Sequence, residues 1–207
     1  MWTKYNVELQ FTAPFASSTP KNSKEIEAML EARMPAKAPP DPVSIPELAR
    51  QIAEEVGTEP NEAMERGYAT FKRDDNGLYY EARCVRAHIK DCSNALQKLL
   101  DIKALKSKVA QRVYVEPEKL YLGKKEPDGS ETRIIHAMTM QGPRSSFKTI
   151  DYVLDTKLSF TLKVLDDGMI TRKILEAIFE YGGTHGMGQE RSSNDFGKYF
   201  VAKFEEV

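Results

Sequence analysis

The chain predicts an α+β fold with a ferredoxin-like βαββαβ core. Strand-type alternation stands near both ends, in KYNVELQF at residues 4–11 and KYFVAKFEEV at 198–207. Two amphipathic helix patterns, at 83–100 and 170–181, divide what lies between, and the apolar spacing switches to strand type between those helices. With a proline-rich insertion at 13–82 set aside, the order becomes strand, helix, strands, strand, helix, strand, with the helices on one sheet face. Residues 1–207 then form one domain, and that length suffices for a substantial core.

Each element has a local warrant. In KYNVELQF, Tyr5, Val7, Leu9 and Phe11 share one face and Asn6, Glu8 and Gln10 the other, the period of a half-buried strand. A short helix is expected over 24–34. PAKAPPDPVSIP, with five prolines in twelve residues, is an extended arm that fits neither a helix interior nor a sheet centre. SIPELARQIAEEVG carries full helix punctuation: Ser44 as cap, Pro46 in the first turn, Glu47 closing a capping box and Gly57 as stop. YATFKRDDNGLYYEA reads as a hairpin turning at Asn76-Gly77.

In RCVRAHIKDCSNALQKLL, the residues Val85, Ile89, Cys92, Leu96, Leu99 and Leu100 form one helical stripe, with Arg83, Arg86 and Lys90 on the opposite side. RVYVEP, KLYLG and TRIIHAMTM are strand segments, the last beyond a turn at Asp128-Gly129. QGPRSSFKT lacks apolar periodicity and is expected as a loop. KLSFTLKVL alternates Leu158, Phe160, Leu162 and Val164 and ends at Asp167-Gly168. ITRKILEAIFEY is the second helix, and Gly182 stands where its C-terminal glycine belongs.

Hydrophobic content of 41% and charged content of 29% describe a soluble globular chain. No apolar run reaches the ~20 residues of a membrane span, and MWTKYNVELQ lacks a signal-peptide layout, which together predict a cytoplasmic protein. Cys84 and Cys92 lie about 12 Å apart on one helix, too far for a disulfide, so reduced thiols are expected. The net charge of −1 hides an asymmetry. Residues 83–148 hold 14 Lys and Arg against 7 Asp and Glu, a local +7, while the remaining 16 basic and 24 acidic residues give −8. A basic middle in a neutral chain suggests a local anionic partner.

One stretch escapes both periods: GGTHGMGQERSSNDFGKY, residues 182–199, which takes five of the 12 glycines. Glycine lets backbone lie close to a ligand, successive N–H groups can form an anion-binding concavity, and Arg191 adds a bidentate donor. Contact with phosphate or nucleic acid is one reading; a plain connecting loop after a helix stop is the other. A helix C-terminus opposes an anion, so loop amides and basic side chains have to dominate. The stretch follows a helix instead of opening one, which excludes the dinucleotide fingerprint, and no Gly-Lys-Ser/Thr phosphate loop exists. No nucleophile motif frames a Ser, His and Asp. Cys84, His88 and Cys92 cannot converge on one zinc ion, because the outer two are about 12 Å apart. His136 reads as a strand residue, whereas His185, among glycines, could touch a phosphate or act as an acid or base.

Glycine-rich sequence between the second helix and last strand of such a unit, here YGGTHGMGQERSSNDFGKYFVAKFE, resembles the RAMP superfamily. These are the RNA-binding, ferredoxin-like (RRM-like) proteins of CRISPR effector complexes, and the shared pattern is Gly-x-Gly, Arg-Ser, then Gly-aromatic-hydrophobic. YYEARCVRAHIKDCSNAL is similar to the family's entry into its first helix, where basic residues face bound RNA. The resemblance implies an RNA-binding subunit of backbone type, or a stand-alone or phage relative, that holds guide or single-stranded RNA by its phosphates. It implies no cofactor or metal, and partners that are RNA and other copies or subunits of an antiviral ribonucleoprotein.

Matching positions are Arg83, Arg86 and Lys90 on the first helix and Gly183, His185, Gly186, Gly188, Arg191 and Ser192 in the loop. Arg144 and Lys148, in QGPRSSFK, fall in a thumb-like hairpin region at 112–155. The implied subunit is non-catalytic. Two alternatives are a metal-independent endoribonuclease using His88 or His185, and an interaction or inhibitor protein that works through the acidic, proline-rich insertion.

Overall fold

The computed structural model describes residues 1–21, 26–27, 45–56, 67–139, 142–191 and 195–207. They form a mixed α+β fold rich in strands. In chain order come β1 (Trp2–Phe11), β2 (Phe15–Ala16), β3 (Thr19–Pro20), α1 (Ile45–Val56), β4 (Tyr68–Thr70), β5 (Lys72–Asp74) and β6 (Gly77–Glu81). Next are α2 (Ala82–Leu96), α3 (Leu105–Arg112), β7 (Val113–Glu116), β8 (Lys119–Tyr121), β9 (Gly129–Thr139) and β10 (Gly142–Val153). The last are β11 (Lys157–Leu165), α4 (Arg172–His185) and β12 (Tyr199–Glu206). The expected helix at 24–34 and the proline arm lie outside the described residues, apart from Ile26, Glu27, Ile45 and Pro46. The chain divides into two compact units, residues 1–16, 79–124 and 153–207 in the first and 17–78 and 125–152 in the second.

The first unit is built on an antiparallel sheet of order β12-β1-β11-β7. Tyr5, Val7, Leu9 and Phe11 are buried, as the alternation of β1 requires, and the register sets Leu158, Phe160 and Leu162 beside them. Full burial of each Leu or Phe contributes roughly 1.5–3 kcal/mol. α2 adds Val85, Ile89, Cys92 and Leu96 to this core, and α4 adds Leu175, Ile178 and Phe179. The two helices pack against each other, and α4 also packs on β12. Thr171 caps α4, its hydroxyl accepting from the Ile174 N–H at 3.5 Å.

Three expectations change here. α2 stops at Leu96, so Leu99 leaves the apolar stripe and is 79% exposed. Left-handed Asp101 and Ala104 turn the chain into α3, which buries Leu105 and Val109. α3 has no side-chain cap, so its start leaves no signal in the sequence. α4 runs four residues beyond the expected Tyr181, through Gly182 and Gly183, and Gly186 is its C-cap, with φ 83°. Gly182 is therefore an interior helical residue.

In the second unit, Gly142–Thr149 of the expected loop QGPRSSFKT are part of β10, paired antiparallel with β9 from Gly142↔Thr139 to Tyr152↔Gly129, and Gln141 lies outside the described residues. Main-chain pairing holds this hairpin, and side-chain periodicity does not report such pairing. β4 runs parallel to β10 and antiparallel to β3. Asp151, 3% exposed, accepts from Tyr68 Oη at 2.8 Å, from Thr70 Oγ1 at 2.6 Å and from Ser130 Oγ, so a buried carboxylate is satisfied by three hydroxyls.

Candidate functional site

The glycines of the segment after Tyr181 answer first to packing. A Cβ on Gly182 would stand 2.4 Å from Tyr199 Oη and 2.6 Å from His88 Nε2; one on Gly183 would stand 2.4 Å from the Tyr199 carbonyl oxygen. Cβ atoms on Gly186, Gly188 and Gly197 would fall within 2.4 Å of the Phe196, Ala16 and Met187 carbonyl oxygens. The segment folds inward around Met187, which is wholly buried. Its amides are committed: Gly186 N–H donates to Gly182 O, Met187 N–H to Gly197 O, Gln189 N–H to Ala16 O and Gly197 N–H to Pro14 O. An anion-binding concavity made of these N–H groups, the sequence-based reading, is not available.

Side chains gather where α2, α4 and this segment meet. Arg191 donates from Nη2 to Asp91 Oδ2 at 3.2 Å and from Nη1 to Gly188 O at 3.1 Å, and its Nε lies 3.4 Å from His185 Nε2. His185 Nε2 also lies 3.5 Å from Asp91 Oδ2. Tyr181 stacks on His185 one turn earlier in α4, at 5.6 Å and 14°. Beneath, His88 is buried, shares a 2.9 Å hydrogen bond with Tyr199 Oη and touches Cys92 Sγ. Burial above all, then the nearby charges of His185 and Arg191, pushes the His88 pKa down to about 3. Burial likewise pushes the Cys92 thiol up to about 12. His88 is thus a neutral packing residue and cannot serve an outside substrate as acid or base.

The anticipated residues are dispersed. Arg83 is exposed and forks onto Glu81 at 2.6 and 3.0 Å. Arg86 does not face solvent with it: Nη2 donates to Ala110 O, and the guanidinium lies 4.4 Å over the Tyr114 ring. Lys90 is half-buried on α2. His185 and Arg191 come together, and Gly183, Gly186 and Gly188 line the inward fold. Arg144 and Lys148 lie on β10 in the second unit, opposite Ala137 and Arg133. Ser192 and the Arg144 side chain lie outside the described part.

Two features escaped the sequence reading. Asp91 neutralises Arg191 across 100 positions, which no local pattern signals. Residues 98–112 hold Lys98, Lys103, Lys106, Lys108 and Arg112 against Asp101 alone, and Lys98, Lys103 and Lys106 are exposed. That density of charge lies within the basic middle of the chain, but it stands apart from the apolar stripe only because α2 ends at Leu96. A cavity of about 560 Å³ between α4 and β12 has Phe179, Phe200, Val201 and Phe204 in its wall, with Glu176, Glu180 and Lys198 among its polar lining. Among the described residues no His/Cys/Asp/Glu group has metal-binding geometry, and no helix is long and apolar enough to cross a membrane.

No protein-family model and no curated protein matches the chain. Among solved structures, it is similar to a chain in the cryo-EM structure of the type III-B Cmr-beta bound to cognate target RNA. The TM-score is 0.47 at 11% identity, and the match covers 100% of this chain and 61% of that one. This chain therefore spans about 61% of the length of the chain it matches.

Proposed function

We propose that this chain is a non-catalytic RNA-binding subunit of RAMP type that holds guide or single-stranded RNA through its phosphates. The observation that carries the reading is the cationic strip at 98–112, where Lys98, Lys103, Lys106 and Lys108 stand against Asp101 alone in a chain of net charge −1, while Arg112 pairs with Asp167 at 2.6 Å. Phosphate is the anion that such a strip binds without reading sequence, chiefly by releasing counterions. The strand order β12-β1-β11-β7, with α2 and α4 interleaved along the chain, supports a ferredoxin-like core. Arg83 and Lys90 on α2 and His185 at the end of α4 extend the contact, and the glycine segment takes part through the Arg191 side chain, not its amides. Arg144, Lys148 and Ser192 are further contacts, the first two on a thumb-like β9–β10 hairpin. The setting is a cytoplasmic ribonucleoprotein of CRISPR antiviral defence, with other subunits or copies as partners.

Purification tests the reading. Protein prepared without nuclease is expected to carry RNA, seen as a raised ratio of absorbance at 260 to 280 nm and lost on RNase treatment. The stripped protein is expected to shift labelled single-stranded RNA, and to leave hairpin RNA intact in EDTA. Nucleic-acid-free protein that gives no shift contradicts the reading, and cleavage abolished by His185→Ala contradicts its non-catalytic part.

A further inference from the structure

Away from the glycine segment, four side chains from four elements alternate aromatic and cation. Trp2 of β1 meets Tyr114 of β7 edge-on, at 5.6 Å and 77°. Lys163 of β11, the cross-strand partner of Tyr114, sets its ammonium 5.3 Å over the Trp2 ring. Arg86 of α2 lies over Tyr114, as described above. These rings are not core: Trp2 is 42% exposed and Tyr114 38%. The cations have few competing partners. Lys163 Nζ stands 4.0 Å from a Glu116 carboxylate oxygen, and Arg86, which donates from Nη2 to Ala110 O, has a buried Nε with no hydrogen-bond acceptor among the described residues. β7 follows directly on α3, so the lysines of the cationic strip lead into this cluster, and residues 102–115 contain no acid at all.

Partly exposed aromatic rings interleaved with cations, beside a basic strip, suit unpaired bases and their phosphates. We propose that Trp2 and Tyr114 form a base-stacking platform for single-stranded RNA, with Lys163 and Arg86 polarising the rings and the lysines of residues 103–108 taking the adjoining phosphates. This rests on the RNA-binding reading and adds to it a subsite that contacts bases. Stacking tolerates any base, because every base has a π face, so the platform raises affinity for unpaired strands over duplex without selecting sequence.

Trp2 is the only tryptophan, so its emission reports this site alone. Single-stranded RNA is titrated into the full chain at low salt while Trp2 emission and the anisotropy of a labelled RNA are followed. The platform predicts quenching with the same midpoint as the anisotropy change. It also predicts that an abasic oligomer of equal charge binds more weakly and without quenching. Trp2→Ala weakens RNA binding roughly fivefold to a hundredfold without altering its salt dependence, and Trp2→Phe restores most of the loss. Tyr114→Ala, which leaves Trp2 as reporter, weakens binding likewise. Binding by anisotropy with unchanged Trp2 emission, or alanine variants as tight as the parent chain, overturns the platform and leaves the RNA-binding reading standing. No anisotropy change at all overturns both.

Discussion

Replacing Gly183 with alanine separates two explanations of the glycine-rich segment. If Gly183 were there for loop flexibility, alanine at this helical position would raise stability by about 1 kcal/mol, the ordinary difference in helix propensity. The structure reverses the sign. The new Cβ would stand 2.4 Å from the Tyr199 carbonyl oxygen, about 1 Å inside the 3.4 Å at which ordinary contact begins. A carbonyl held in β12 cannot rotate away as a side chain could, so α4 has to lift, loosening Ile178 and Phe179 in the core. Overpacking of this kind costs roughly 1–3 kcal/mol, and set against the propensity gain it leaves a net loss of up to about 2 kcal/mol. Urea unfolding followed by circular dichroism should show the midpoint fall, by up to roughly 1 M, at unchanged slope. Glu180→Ala, exposed on the same helix, should stay within about 0.5 kcal/mol of the parent. A Gly183→Ala protein more stable than the parent would refute the close-packing account.

Other consequences follow from individual side chains. His88 is neutral in the fold, with its pKa down to about 3 against 6.5 in the unfolded chain. The unfolded chain therefore binds the extra proton first, and this contribution, complete above pH 6.5, drains at about 1.4 kcal/mol per pH unit as pH falls toward 3. Urea midpoints for His88→Gln should accordingly fall less steeply from pH 6.5 to pH 4 than those of the parent; equal slopes would contradict the assignment. Asp151→Asn presents an amide donor to three hydroxyls that now donate to a carboxylate, and should cost roughly 1–3 kcal/mol in thermal or urea unfolding. Arg191→Glu reverses an exposed charge beside Asp91 and should weaken single-stranded RNA binding roughly tenfold at low salt, with the difference shrinking as salt rises.

The parts of the fold that could be read from the chain are those whose side chains alternate against a core. β1 and β11 belong to this class, because Val7 and Phe160 each occupy a position whose period alone reveals its face. α3 and β10 could not be read. The first begins at a left-handed Ala104 with no capping side chain, and the second is held by pairing to β9. Glycine placement was legible as a pattern but not as a cause. Gly183 is small because of Tyr199, sixteen positions later, and Gly188 because of Ala16, at the far end of the chain. The site shows the same division: the local basic excess was plain in the composition, whereas the Asp91–Arg191 pairing, the burial of His88 and the turning of Arg86 onto Tyr114 depend on neighbours that only the folded chain brings together.

The central claim, that a cationic strip on α3 and the turn before it holds a sugar–phosphate chain, is tested most directly by the salt dependence of single-stranded RNA binding. For the parent chain, the logarithm of the binding constant should fall linearly with the logarithm of salt concentration, by about 0.7 per phosphate contacted. Replacing Lys98, Lys103 and Lys106 together with glutamate removes three contacts and should flatten that slope by about 2, while leaving the unfolding midpoint nearly unchanged because all three are exposed. A triple variant with the parent's slope and affinity, or a parent chain whose binding ignores salt, would contradict the account.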